Sequence, residues 1–274
     1  MQKLSYSSLA VVLLVLVLPA DLFAWGREGH AIVAQIAESR LTPKAKAAVA
    51  ELLGKQTMSS VSSWADSVRK ERDETSTWHY VDIPIEMAAY DPARDGKSGN
   101  NVIDKIVDFA NVLNDPKRPR EEREEALKFL IHFVGDLHQP LHCAERNGDK
   151  GGNFRLAFFL DEPKAANLHR IWDTNILKHR MGEGEGKLSI AQYADKVAAS
   201  ITESQARSWT RSEPVAWANE SHKLAIDVVY AGVALDGPPV KIGDDYVRRA
   251  EPVIEMQLAR AGTRLAEVLN RVFR

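Results

Sequence analysis

Histidine and aspartate recur together in this chain at spacings suited to holding a metal ion. The densest stretch, His132-Phe-Val-Gly-Asp136-Leu-His138-Gln-Pro140-Leu-His142, places His132 and Asp136 four residues apart. A helix there sets the two side by side on one face. An imidazole nitrogen beside a carboxylate oxygen suits a divalent transition metal, zinc above all. Pro140 disfavours helix at the residue before it, so the chain can turn and aim His142 back towards the same region. Asn167-Leu-His169-Arg-Ile-Trp-Asp173 repeats the device, with His169 and Asp173 again four apart. A third neighbourhood, Trp64-Ala-Asp66 followed by Trp78-His79-Tyr80-Val-Asp82, offers Asp66, His79 and Asp82 within 17 residues. One such pair is common on a solvated helix face. Two pairs, flanked by Phe133, Val134, Leu137 and Trp172, favour a buried metal site, because a charged Asp136 in an apolar setting is costly without a partner.

These side chains need a scaffold, and the sequence predicts a helical one. Helices are expected over residues 29–41, 43–53, 60–70, 101–113, 121–138, 166–179, 190–206 and 214–231. Thr42-Pro43 reads as N-cap plus first-turn proline, and Gly54 as a stop. A long final helix carries Val247, Ile254, Leu258, Leu265 and Leu269, with Pro252 starting or kinking part of it. The best strand signal is 153–160, a short hairpin arm that follows a glycine-rich polar loop at 148–152. At the other end, Lys3 precedes an apolar run from Leu9 to Leu18 that is too short to span a bilayer. Pro19 and Leu22-Phe23-Ala24 close it. That layout predicts a secretory signal peptide over residues 1–24, cut after Ala24, and a single domain over 25–274. An uncleaved membrane anchor is the alternative.

Composition narrows the classes. Lys and Arg total 36 against 38 Asp and Glu, apolar residues make up 45% and charged residues 27%. Those are globular proportions. They argue against a disordered chain, a collagen-like fibre and a polytopic membrane protein. The net charge of −2 argues against a generic duplex-DNA binder. The one cysteine, Cys143, excludes an intramolecular disulfide and a Cys-rich zinc finger. It reads as a buried, inert thiol. An exported protein without disulfides points to a periplasm or a bacterial exterior.

Trp25-Gly-Arg-Glu-Gly-His30 directly after the leader is followed, in order, by WAD, WHYVDIP, HFVGDLHQPLH, GGN and NLHRIWD. This series resembles the zinc-dependent single-strand-specific nucleases of the S-one/P-one type, also known as 3′-nucleotidases. The resemblance implies a mainly α, single-domain fold of the zinc phospholipase C type, with three zinc ions at the bottom of a cleft. One zinc would take Asp66, His79, His132 and Asp136. A second would take His142, His169 and Asp173. A third would take His30, Asp136 as a bridge, and the amino group and carbonyl oxygen of Trp25.

The resemblance also implies a reaction. A metal-activated hydroxide attacks phosphorus, with Asp66, Arg69 and Asp136 as catalytic residues and 5′-phosphates on the products. Arg69 contacts the scissile phosphate, Tyr80 stacks on a base, and Asp82 and Asn153 supply polar contacts to the substrate. Three zinc ions against three aspartates leave a cationic pocket that attracts phosphate whatever the overall balance. Single-stranded DNA or RNA and 3′-nucleotides are the expected substrates of a secreted or periplasmic monomer, with no stable protein partner and no membrane after cleavage. His138 lies off the His132/Asp136 face and reads as structural. His179 and His222 read as ordinary surface histidines.

Two departures stand out: the disulfides of fungal and plant relatives cannot form here, and the stretch between His142 and Asn153 varies in length among relatives. A zinc phospholipase C is the nearest rival, but its last ligand pair is HxxxE where this chain has His169-xxx-Asp173. A non-catalytic zinc-storage or zinc-binding protein is a rival of another class.

Overall fold

The computed structural model describes residues 25–274, and the expected signal peptide lies outside them. The architecture is mainly α. In chain order the helices are α1 (Arg27–Ser39), α2 (Pro43–Leu53), α3 (Met58–Val61), α4 (Trp64–Val68), α5 (Val102–Asn114), α6 (Arg120–Leu137), α7 (Leu168–Arg170), α8 (Ile176–Met181), α9 (Ile190–Ser200), α10 (Glu203–Trp209), α11 (Pro214–Leu224) and α12 (Asp244–Val272). Three short strands, β1 (Leu156–Phe159), β2 (Ala166–Asn167) and β3 (Val240–Ile242), form one small sheet in the order β2-β1-β3.

Local chemistry accounts for most boundaries. The Thr42 side chain accepts from the Ala45 N–H at the start of α2, and Gly54 ends that helix. Asn101 caps α5 by accepting from Ile103 and Asp104. Ser189 and Thr202 open α9 and α10 with reciprocal capping boxes. That second cap is why the helix expected over 190–206 is two helices. The segment expected as 60–70 is likewise split into α3, which Thr57 and Ser60 open with a capping box, and α4, with Ser62 and Ser63 between them. The helices expected over 166–179 and 214–231 are interrupted by π-helical turns at Ile171–Asn175 and Ala225–Val229. Pro252 does not end α12, which runs through it for 29 residues.

The strand expected at 153–160 is the shorter β1, paired antiparallel with β2 as a hairpin. It also pairs in parallel with β3, through contacts too distant in sequence to be anticipated.

The core is built around α1, which packs against both α6 and α12. Ile32, Val33, Ile36 and Ala37 are buried on it. Gly262 of α12 meets Ile36 so closely that a Cβ there would overlap it. On the other side, the α6 residues Phe129, Leu130, Phe133, Val134 and Leu137 are buried. Charged residues occupy the first turns of α6 and apolar ones its second half. That helix therefore enters the core C-terminal end first, carrying His132 and Asp136 into the interior.

Candidate metal centre and cleft

Eight ionisable side chains from six segments converge at the C-terminal end of α6. His30 comes from α1, Asp66 from α4, His79 from the 3₁₀ turn Asp73–His79, and His132 and Asp136 from α6. His142 follows the turn made by Gln139 and Pro140, and His169 and Asp173 lie on α7 and the π-helical turn after it. All eight are buried, His30, His132 and Asp136 completely.

Their distances define overlapping clusters. Asp136 Oδ2 lies 2.9 Å from His79 Nδ1 and 3.3 Å from His132 Nε2, and Asp136 Oδ1 lies 3.3 Å from His30 Nε2. Asp66 Oδ1 is 3.6 Å from His132 Nε2 and 4.0 Å from His79 Nδ1. The His30 and His132 rings stack with centroids 3.9 Å apart. His142 Nε2 sits 3.1 Å from His169 Nε2, which is 3.4 Å from Asp173 Oδ2. Three sets each bring one ligand atom per residue within 4.8 Å of one another: His30 with Asp66 and His132, His79 with His132 and Asp136, and His142 with His169 and Asp173.

Backbone carbonyls fix the rings. The Nδ1–H groups of His132, His142 and His169 donate to the carbonyls of Ser62, His79 and Gly151, each at 2.7 Å. This leaves each Nε2 as a lone pair directed inward, the arrangement of a metal-ligating histidine. Meanwhile His30 Nδ1 and Nε2, Asp66 Oδ1, His79 Nε2 and Asp136 Oδ1 are buried without a hydrogen-bond partner among the described residues. Orphaned polar atoms are costly, and three of these, His30 Nε2, Asp66 Oδ1 and Asp136 Oδ1, lie on the cluster side, where a divalent cation would satisfy them.

The electrostatics agree. Burial opposes charge on His132, yet Asp136 and Asp66 outweigh it and push the imidazole up to about 9. Burial would raise the Asp136 carboxyl, but His132, His30 and His79 hold it well below the usual range. Burial lowers His30 and His79 and brings His142 down to about 3. Asp173 is pushed well above the usual carboxylate range by burial. Without a metal, His30, His79 and His142 are therefore held neutral, while His132 is drawn to its protonated form by Asp136 and Asp66, and Asp173 to its protonated, neutral form by burial.

Several supports carry no signal in the ligand pattern itself. Gln139 donates its amide to Asp173 Oδ1 and accepts from the Leu141 N–H, so it orients a ligand and shapes the turn into His142. A Cβ at Gly135 would fall 2.7 Å from His30 Nδ1, so this glycine makes room for the imidazole. Gly151 of the GGN motif has φ +58°, and a Cβ there would collide with the Leu141 carbonyl. The loop that receives His169 Nδ1–H therefore requires glycine. Backbone bonds from Val81 to His142 and between Ile83, Ile85 and Glu145 hold the His79–Asp82 segment alongside.

The other expected residues are placed as follows. Arg69, Tyr80, Asp82 and Asn153 line a cavity of about 190 Å³ with His79, His142 and His169. Arg69 Nη2 is 3.7 Å from Asp66 Oδ1. The Asn153 amide donates to the Lys150 carbonyl. Desolvation in the cleft wall, then Glu145, Asp95 and Asp149, push Asp82 up to about 6. Trp25 is buried, and the N–H of the next residue, Gly26, donates to the Asp173 carbonyl at 3.0 Å.

His138 is structural: its Nδ1–H donates to the Val134 carbonyl, and its Nε2 accepts from the buried Arg264. Cys143 is buried and burial pushes its thiol up. His179 is a surface residue paired with Glu251 at 2.9 Å. His222 is not on the surface. It is fully buried, with its ring nitrogens 2.9 Å from the carbonyl oxygens of Cys143 and Met87.

Comparison with known proteins agrees with this geometry. The family described as S1/P1 Nuclease matches residues 25–274. Endonuclease 2 of Arabidopsis thaliana is 33% identical over 92% of this chain and 92% of its own length. Nuclease S1 of Aspergillus oryzae is 30% identical, covering 91% of this chain and 92% of its own. Nuclease P1 of Penicillium citrinum is 30% identical, covering 90% and 97%.

Proposed function

The chain belongs to the S1/P1 nuclease family and is a nuclease, a hydrolase of phosphodiester bonds; from that premise we propose that it is a trinuclear zinc enzyme that cleaves single-stranded DNA and RNA to products with 5′-phosphates and removes the phosphate of 3′-nucleotides. In this reading residues 1–24 are a signal peptide, and residues 25–274 form a monomer acting in a periplasm or outside the cell.

The observation that carries the reading is the pair of inward lone pairs on His142 and His169, 3.1 Å apart beside Asp173, at the floor of the cavity that Tyr80 walls. Two such lone pairs repel unless a cation lies between them. His142, His169 and Asp173 would hold one zinc; Asp66, His79, His132 and Asp136 a second; His30, Asp136 and the amine and carbonyl of Trp25 a third. Zinc at these positions supplies Lewis acidity towards the phosphate and lowers the pKa of water.

The chain's own residues do the rest. The Arg69 guanidinium, on the cavity wall near Asp66, donates to phosphate oxygens and offsets charge that builds up on them. Tyr80 offers a ring face to a base. Stacking tolerates any base and needs an unpaired one, which gives preference for single strands over a duplex. Asp82 and Asn153 hydrogen-bond to the base edge or sugar.

The test is zinc analysis of the purified mature protein alongside cleavage of single-stranded DNA, duplex DNA, a 3′-nucleotide and phosphatidylcholine vesicles, with and without chelator. Three zinc ions per chain and chelator-sensitive cleavage of single strands are expected. Hydrolysis of phosphatidylcholine alone would make the protein a phospholipase. Zinc binding without any hydrolysis would make it a zinc carrier.

A further inference from the structure

The cavity beside Tyr80 is not the only one at the metal ligands. A second and larger cavity, about 380 Å³, also reaches His169 and opens between the start of α1 with α4 and the α7–α8 segment. The two share Asn153 and His169. They therefore form one cleft that passes over the ligand cluster, with Asp66 and Asp173 lining the second arm.

The second arm is lined by Arg27, Arg170 and Lys178, with Glu28 as its carboxylate outside the ligand set. Lys178 pairs with Glu28 at 3.3 Å. Arg27 and Arg170 are exposed and make no ion pair among the described residues. Both sit next to the ligands by sequence as well as in space: Arg27 opens α1 three residues before His30, and Arg170 directly follows His169. Two uncommitted guanidiniums on the wall of a cleft match phosphates of a polyanion, which they can grip with paired donors. The first arm carries Arg69 and Lys150 as its cations, but beside them Tyr80 and the carboxylate Asp82, which suit a base.

We propose that the second arm binds the phosphodiester strand on the side of the scissile phosphate away from Tyr80, with Arg27 and Arg170 as its phosphate-binding residues. The inference rests on the nuclease reading above. It makes these arginines the part of the site that distinguishes a polymer from a 3′-mononucleotide.

The test uses the zinc-loaded protein and the variant R27A/R170A. Binding of a phosphorothioate octathymidylate is measured by fluorescence anisotropy across a salt series. Each phosphate contact to a single strand contributes about 0.7 to the slope of log affinity against log salt. Loss of both arginines should therefore lower the slope by about 1.4, and the ratio of kcat/KM for an oligonucleotide to that for a 3′-nucleotide should fall at least tenfold. R27K/R170K should recover the slope. An unchanged slope and ratio in R27A/R170A would overturn the inference while leaving the nuclease reading intact. So would a loss that the lysine variant shares, since it would follow from structure and not charge. Wild-type protein that hydrolyses neither substrate would overturn the nuclease reading, and this inference with it.

Discussion

His142 and His169 face each other with their Nε2 atoms 3.1 Å apart, while the Nδ1–H of each is committed to a carbonyl, His79 for one and Gly151 for the other. Neither ring can supply the proton that would relieve the contact without giving up a buried hydrogen bond. A cation between them makes the geometry stable; without one the pair carries the repulsion or takes up a proton, which burial disfavours at His142. The ligands also come from segments spread over the first two thirds of the chain, so binding metal reports on the whole fold. Chelation is therefore expected to lower stability. A metal present at a thousandfold over its Kd contributes about 4 kcal/mol, or roughly 10 °C in Tm for a domain of this size. Calorimetry of the holo and stripped forms measures the difference, and coincident transitions would contradict it.

Gly135 stands one residue before Asp136 and directly against His30. The Gly135→Ala substitution keeps the helix and adds one methyl at 2.7 Å from His30 Nδ1. Either the ring or the helix must move. Overpacking of this kind costs about 1–3 kcal/mol, roughly 5 °C here. Because the displaced group is a proposed ligand, the variant should also lose zinc. A melting curve with metal analysis tests both effects together. Wild-type values for both would mean that α1 and α6 can separate freely.

Parts of this site are legible in sequence because they are local. His132 with Asp136, and His169 with Asp173, lie one helical turn apart, and helical periodicity alone puts each pair on one face. The π-helical turn at Ile171–Asn175 is not legible, yet it carries Asp173 and sets its direction towards Gln139. Such turns are frequent at functional sites. The needs of Gly135 and Gly151 are collisions with His30 and Leu141, distant in sequence for Gly135, and no local pattern announces them. His222 reads as a surface residue in the sequence for the same reason. What buries it is the pair of carbonyls from Cys143 and Met87, 79 and 135 residues away. Strand β3 is hidden likewise, since its partner β1 is about 80 residues earlier. His30 and Trp25 have no partner pattern of their own and stand out only through the family's order of motifs.

Away from the metal, Glu255 on α12 ties that helix to α8 and α9. It accepts from Arg180 Nε at 2.9 Å and from the Tyr193 hydroxyl at 3.0 Å. Burial would raise its pKa, but these bonds, with the charges of Arg180 and Lys196, outweigh burial and hold it below the ordinary value. A carboxyl depressed in the folded state stabilises the fold above its unfolded pKa of about 4.3. That contribution is lost as pH falls through the lower folded value. The side chain is 26% exposed, so solvent screening limits the effect to about 1 kcal/mol at most. Glu255→Gln should be less stable than wild type from pH 7 down to about 5, and the two should converge in stronger acid. Denaturant melts at several pH values measure this. A gap that stays constant into acid would assign the loss to packing and not to charge.

The proposed third zinc depends on a group that only cleavage creates. Trp25 is buried at the entrance to α1, with Gly26 bonded to the Asp173 carbonyl and His30 one turn further on against Asp136. As a free terminus its amine has a pKa of about 7.7–8.0, low enough for a metal ion to displace the proton near neutral pH. With any residue before it, the same nitrogen is an amide with no lone pair to give. We therefore expect protein beginning at Trp25 to hold three zinc ions, and protein carrying one additional alanine ahead of Trp25 to hold two and lose most turnover. Zinc content is the decisive readout, because it changes whether or not the chosen substrate is the natural one. If both forms bind the same number of ions and turn over equally, the terminus is not a ligand, and the proposed cleavage after Ala24 has no part in the metal site.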